Sequence, residues 1–240
     1  MLKDLIGKVG VWSLINSFDA LTALLNARPD YIVLDLEHGY WRSDQLATAV
    51  LLCRSQKIVS IVRIPSPSTR NFQLAYDSDA DFVQVSGILK ASDFELLQQN
   101  SITSPLRSVG FSPWTVVGLN EQKIAPSNLK IILQIETKEI LDYFLDSKIE
   151  ENEFIKMIFI GRYDLSISLG VPGKISDKSV LHSIELCVNK CKELGIGIAT
   201  VSTSKEDFDL LNKIGVNSIS FKSDVLLLRQ ALKDLNSVGE

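Results

Sequence analysis

The chain has 240 residues, 45% hydrophobic and 22% charged, the composition of an ordinary globular protein rather than a disordered or fibrous one. Lys and Arg number 25 against 29 Asp and Glu, and the net charge of −4 argues against a general nucleic-acid or anionic-membrane surface. No apolar run approaches the roughly 18 residues of a membrane span, and Met1-Leu2-Lys3-Asp4 lacks the features of a signal peptide, so a cytoplasmic location is expected. Three cysteines leave one over. Cys187 and Cys191, four apart in a helical pattern, read as buried thiols because no CxxC or His partner suggests zinc.

In chain order, residues 9–14 (VGVWSL) read as a first strand, and Ser17 or Asp19 can cap a helix over 20–26. A second strand over 31–36 precedes a helix over 43–55. A third over 58–64 is stopped by Pro65 and Pro67 and followed by a helix over 69–76. Residues 82–85 give a fourth strand, with a helix over 92–99. A segment over 101–127, carrying Pro105, Pro113 and Pro126, has no periodicity, and loops of that length are commonly functional. The fifth and sixth strands, 131–133 and 157–160, flank an acidic helical run through 149–154. A helix over 180–194, a strand over 197–201, a helix over 205–214, a strand over 218–221 and an amphipathic helix over 225–235 complete the chain.

Eight short apolar strands alternating with helices, with no composition break, predict one domain over 1–240: an α/β protein built as a (β/α)8 TIM barrel. An open doubly wound sheet has the same local pattern, but no GxGxxG follows the first strand.

Catalytic groups of such barrels sit at the carboxyl ends of the strands. Those ends carry Asp35, Glu37 and His38, then Arg63, then Gln134 and Glu136, then Gly161 and Asp164. Glu136 and Asp164 are candidate ligands for a hard divalent cation, or alternatively caps of the helices that follow. His38 beside Asp35 has the makings of a general base, or of a satisfied structural histidine. Arg63 either balances the acids or clasps a substrate carboxylate in a bidentate pair. A cation, a guanidinium, an amide and a His/Asp pair together describe a site for an α-keto acid, whose enolate the cation would stabilise.

These motifs resemble the HpcH/HpaI aldolase family, metal-dependent (class II) pyruvate aldolases that cleave 4-hydroxy-2-oxo acids. The resemblance rests on Asp35-Leu36-Glu37-His38-Gly39, Val62-Arg63-Ile64-Pro65, Gln134-Ile135-Glu136-Thr137 and Gly161-Arg162-Tyr163-Asp164-Leu165-Ser166, in order over nearly the whole chain. It implies Mg²⁺, Mn²⁺ or Co²⁺ held by Glu136 and Asp164, and pyruvate contacts from Arg63, Gln134 and the backbone around Gly161, with Tyr163 and Asp164 beside it. It further implies a His38/Asp35 acid–base pair acting on the aldol hydroxyl. The partners it implies are a keto acid and an aldehyde, and a homo-oligomer, trimer or hexamer, in which the C-terminal helix is exchanged and Asp77 reaches toward the adjacent site. Where the family has Gly-Pro-Ala/Ser-Asp, this chain has Gly161-Arg162-Tyr163-Asp164, placing large residues where small ones let pyruvate approach the backbone. The alternatives are a CoA-linked lyase of the citrate lyase type, a Schiff-base aldolase using Lys222, and a barrel that binds a keto acid with altered specificity or without turnover.

Overall fold

The structure, a computed structural model, describes residues 5–101, 130–146 and 154–236. Eight parallel strands close into a barrel in sequence order: β1 (Lys8–Ser13), β2 (Tyr31–Asp35), β3 (Val59–Ile64), β4 (Phe82–Val85), β5 (Ile131–Ile135), β6 (Ile155–Ile160), β7 (Gly197–Ser202) and β8 (Ser218–Ser223), with β8 returning to β1. Helices α1 (Phe18–Asn26), α2 (Ser43–Ser55), α3 (Thr69–Asp77) and α4 (Ala91–Ser101) follow the first four strands. After the next strands come α5 (Lys138–Asp146), the short α6 (Arg162–Ser168), α7 (Lys178–Leu194), α8 (Lys205–Ile214) and α9 (Asp224–Asn236). The (β/α)8 expectation holds and the open sheet is excluded by closure. No helix among the described residues is long and apolar enough to cross a membrane.

Period-two alternation along each strand divides the apolar residues into two cores. Val33, Ile61, Phe82, Ile132 and Phe159 point inward and fill the barrel, whereas Ile32, Val62, Val83, Leu133 and Ile158 point outward beneath the helices. Helix ends follow local chemistry. Ser17, rather than Asp19, caps α1 by accepting from the Ala20 N–H at 3.3 Å, and Ser204 caps α8 by accepting from Asp207 N–H at 3.2 Å.

Two sequence readings shift. The helix after β5 spans Lys138–Asp146, and Phe154 sits in a turn against the start of β6 instead of ending a helical run; residues 147–153 lie outside the described residues. The turn carrying Asp164 is itself a helix, α6. The proline-bearing segment falls at 102–129, also outside the described residues.

Cys53, Cys187 and Cys191 are free and buried. Desolvation pushes the Cys187 thiol up to about 12, so these groups are inert packing residues.

Candidate active site

The inward positions one step above the apolar core carry polar groups, and strand register sets them side by side. Asp35 of β2 is opposite Arg63 of β3, which is opposite Gln84 of β4. Arg63 donates from Nε to Asp35 Oδ1 at 2.8 Å and from Nη2 to Oδ2 at 2.5 Å, and Nη1 lies 2.6 Å from Glu37 Oε2. The guanidinium stacks over Trp12, 4.4 Å from the ring centroid. Arg63 is 6% exposed and Asp35 fully buried, so this pair is held in a low-dielectric setting where geometry matters.

The DxEHG sequence folds around the same carboxylate. Asp35 Oδ1 accepts the backbone N–H of Glu37 at 2.9 Å and of His38 at 3.3 Å, an Asx-type turn at the strand end. A Cβ on Gly39 would lie 2.3 Å from the Asp35 carbonyl oxygen, so glycine is required where the turn folds back. Here the structure corrects the expected His38/Asp35 pair. Among the described residues, the Asp35 carboxylate bonds to Arg63 and to backbone amides, and to no ring nitrogen of His38. The strand register is the reason: Arg63 is the neighbour of Asp35 across the sheet, whereas the His38 side chain stands exposed at the rim of the cavity. The expected bidentate clasp by Arg63 is likewise altered. Its Nε/Nη2 edge is already on Asp35, leaving the outer N–H groups of Nη1 and Nη2 for a ligand.

A second polar chain crosses the mouth. Gln84 Nε2 donates to Gln134 Oε1, and Gln134 Nε2 donates to Glu136 Oε1. Glu136 is 8% exposed, and among the described residues its other oxygen accepts only a long bond from Gly87 N–H at 3.4 Å. Burial pushes the Glu136 carboxyl pKa upward, and the nearby charges of Glu37 and Asp164 push the same way. Gly161 makes this possible, since a Cβ there would stand 2.8 Å from Glu136 Cγ. Its own N–H is spent on the Ile135 carbonyl at 2.9 Å, so Gly161 contributes space rather than a donor.

These features fit a hard cation. A desolvated carboxylate with an under-used oxygen, beside a second one, is relieved by a positive charge. Among the described residues no group of three His, Cys, Asp or Glu converges as a metal cage, so Glu136 and Asp164 would leave positions for water and substrate oxygens, the manner in which Mg²⁺ is usually held. The mouth holds a cavity of about 330 Å³ lined by Trp12, His38, Arg63, Gln134, Tyr163 and Asp164, among others, with Glu136 behind its neighbours Gln134 and Gly161 and not on the wall itself. Strand-end reading thus brought most of the site together. It missed Gln84 and Trp12, although alternation from inward-facing Phe82 places Gln84 on the same side two residues later. Asp77 ends α3, half-buried, and is not part of this cavity wall.

The unusual Arg162 does not obstruct the mouth with its charge. Its guanidinium turns sideways, donating to both oxygens of Asp207 at 2.8 and 2.6 Å and to the Val201 carbonyl at 2.5 Å. Burial alone would raise the Asp207 carboxyl pKa, but the bond and charge of Arg162 hold it lower than usual. Arg162→Ala is therefore expected to destabilise the barrel by about 3 kcal/mol, because it strands a mostly buried carboxylate. Chemical denaturation checks this, and an unchanged midpoint would refute the structural role.

The fold and this mouth define a (β/α)8 barrel with its acids gathered at the carboxyl ends of the strands, where barrel enzymes carry their active sites. The chain belongs to the HpcH/HpaI aldolase/citrate lyase family, whose model matches residues 8–231. It is similar to a hydroxypyruvate/pyruvate aldolase of Paraburkholderia phytofirmans, 23% identical over 98% of this chain and 96% of the relative. A second hydroxypyruvate/pyruvate aldolase, from Sagittula stellata, is 22% identical over 93% of this chain and 90% of its own. Among solved structures it resembles an HpcH/HpaI aldolase/citrate lyase family protein of Burkholderia cenocepacia, with a TM-score of 0.86 and 22% identity, covering 99% of this chain and 96% of that one.

Proposed function

We propose that the protein is a metal-dependent aldolase that makes or cleaves a 4-hydroxy-2-oxo acid from or to pyruvate and an aldehyde. The observation that carries this reading is Glu136: buried, oriented by the Gln84–Gln134 chain, with its second oxygen held among the described residues by only a long bond from Gly87 N–H, and within the fields of Glu37 and Asp164. The relatives named as hydroxypyruvate/pyruvate aldolases, and the general metal dependence of the family, support it. Glu136 and Asp164 would hold the cation, which would supply Lewis-acid charge for the enolate left by loss of a proton or a carbon–carbon bond beside the ketone. The outer N–H groups of Arg63 orient the pyruvate carboxylate, and Asp35, Glu37 and Trp12 hold that guanidinium in place. Apolar walls from Trp12 and Phe159 exclude water from one side.

His38, at the rim, is placed to exchange the proton of the aldol hydroxyl with solvent. His38→Ala is expected to slow aldol cleavage roughly a hundred- to ten-thousand-fold, while methyl-proton exchange of pyruvate falls less. Equal losses in both reactions would remove His38 from the hydroxyl.

The protein is also proposed to act as a homo-oligomer in the cytoplasm. Val225, Leu228, Leu232 and Leu235 form one exposed apolar seam along α9, which suits exchange of this helix with a neighbouring copy.

The deciding experiment follows deuterium exchange into the methyl group of pyruvate, with and without chelator. Exchange should require Mg²⁺, Mn²⁺ or Co²⁺, and circular dichroism should be unchanged by chelation, since no core contact depends on the ion. Full exchange in metal-free protein would overturn the reading.

A further inference from the structure

Gln84 is the one polar residue of β4, whose four residues, Phe82-Val83-Gln84-Val85, are all buried. It is 1% exposed and faces inward, in register with Arg63 of β3 on one side and with Ile132 of β5, two residues before Gln134, on the other. Arg63 and Gln134 line the main cavity and Gln84 does not, so it stands behind the wall that a substrate would touch. An amide is costly to bury there, and an apolar side chain of the same length would fill the space without that cost. What the amide adds is a bond: Gln84 Nε2 donates to Gln134 Oε1.

The direction of that bond is set from both sides. A glutamine amide has two unlike ends, an oxygen that accepts and an NH2 that can donate twice. Arg63, the register neighbour of Gln84, carries donors and no acceptor, whereas an ionised Glu136 carries acceptors and no donor. Between these two the bonds run one way, from Gln84 to Gln134 and from Gln134 Nε2 to Glu136 Oε1. Turned by half a revolution, the Gln134 amide would set its oxygen against the carboxylate and its NH2 against that of Gln84. Gln84 thus takes the Gln134 oxygen out of use, and the second N–H of Gln134 is left for a ligand in the cavity. Hydrogen bonds in series polarise one another, so a bond received at the oxygen strengthens those that the NH2 gives.

We propose that Gln84 is a positioning residue for the reaction: by occupying the Gln134 oxygen it makes Gln134 a donor-only group, with one N–H on Glu136 and the other for the substrate oxygen on which negative charge develops. The proposal rests on the aldolase reading for the identity of that atom, the keto oxygen of pyruvate, and deepens it by naming what fixes the donor beside it. A donor held in direction before the charge appears needs no reorganisation when it does. Released at its oxygen end, the Gln134 amide could turn an acceptor toward the same atom, and Glu136 would lose a fixed partner.

The test is a double-mutant cycle on Gln84→Met, Gln134→Met and the pair, because methionine keeps the length of glutamine and has no N–H to give. Gln84→Met should lower kcat for methyl-proton exchange of pyruvate about tenfold or more, with a smaller change in KM, since the donor acts on charge that is greatest in the transition state. Mn²⁺ affinity, read by calorimetry without pyruvate, should fall about tenfold, the lower end of the range for groups that orient a metal ligand. In the Gln134→Met background, Gln84→Met should change neither quantity further. Wild-type values in the Gln84 variant overturn the proposal. So do equal losses in both backgrounds, which would mean that Gln84 acts through packing and not through Gln134. Gln84→Leu, read in the same cycle, replaces a methionine variant that fails to fold. If the wild type exchanges no methyl protons and binds no metal, the aldolase reading fails instead. A crystal structure of the Gln84 variant then decides the positioning role by itself: a rotated or displaced Gln134 side chain upholds it, and Gln134 unmoved on Glu136 refutes it.

Discussion

Arg63→Lys should lower pyruvate exchange and aldol turnover roughly a hundredfold or more, the scale of loss when a positioning group is displaced by about an ångström. The substitution keeps a positive charge and still fails, because the role of Arg63 is geometric. Its Nε and Nη2 meet both oxygens of Asp35, Nη1 faces Glu37, and the plane lies on Trp12. An ammonium can satisfy one of these contacts but not the parallel pair, and it has no planar face to lay on the indole. What remains of the site is a buried Asp35 with an ill-matched partner and no outer N–H groups fixed in direction. Metal affinity should change little, since Glu136 is oriented from Gln134 and not from Arg63. Titration calorimetry and exchange kinetics on the same variant separate the two effects. Normal kinetics would show that Arg63 only balances charge, and parallel loss of metal and activity would show that the two halves of the site are one.

Glu136→Gln is expected to abolish metal binding and to cost activity on the order of 10²–10³-fold or more, the scale seen when a principal electrostatic stabiliser is removed. The same change should leave the metal-free protein as stable as before, or more so. Gln has the shape of Glu, its oxygen can still accept from the Gln134 amide, and it removes a charge that is buried beside Glu37 and Asp164. The pH dependence sharpens the comparison. A carboxyl whose folded pKa is raised ionises first in the unfolded chain, so above the ordinary value of 4.5 the folded wild type carries a growing charging penalty, constant once its own pKa is passed. The stability of metal-free wild type should therefore fall relative to the Gln variant as pH rises from 4.5, and the two should converge below it. Added Mg²⁺ or Mn²⁺ should stabilise wild type alone. A variant less stable than wild type without metal would mean that Glu136 is a structural ion-pair member.

The amino-acid sequence by itself determined the eight strands, the alternation of strand with helix and the polar residue at each strand end. Those are local properties, written in period-two apolar runs, in capping serines such as Ser17 and Ser204, and in stops such as Pro65. It also put Glu136 and Asp164 just past the fifth and sixth strands, and strands that all run parallel bring those ends to one face of the barrel. Only closure of the barrel decided which of those polar ends touch. The β2–β3 register set Asp35 against Arg63 and so took the carboxylate away from the imidazole of His38. Gln84 gained a place in the site because β4 and β5 present it to Gln134, a partner 50 residues away. Arg162, adjacent to the reaction centre in sequence, found its acid on α8, 45 residues on, which removed its charge from the mouth. In each case the partner is brought by a neighbouring strand or helix, and the energy of a buried polar contact depends on that partner being there.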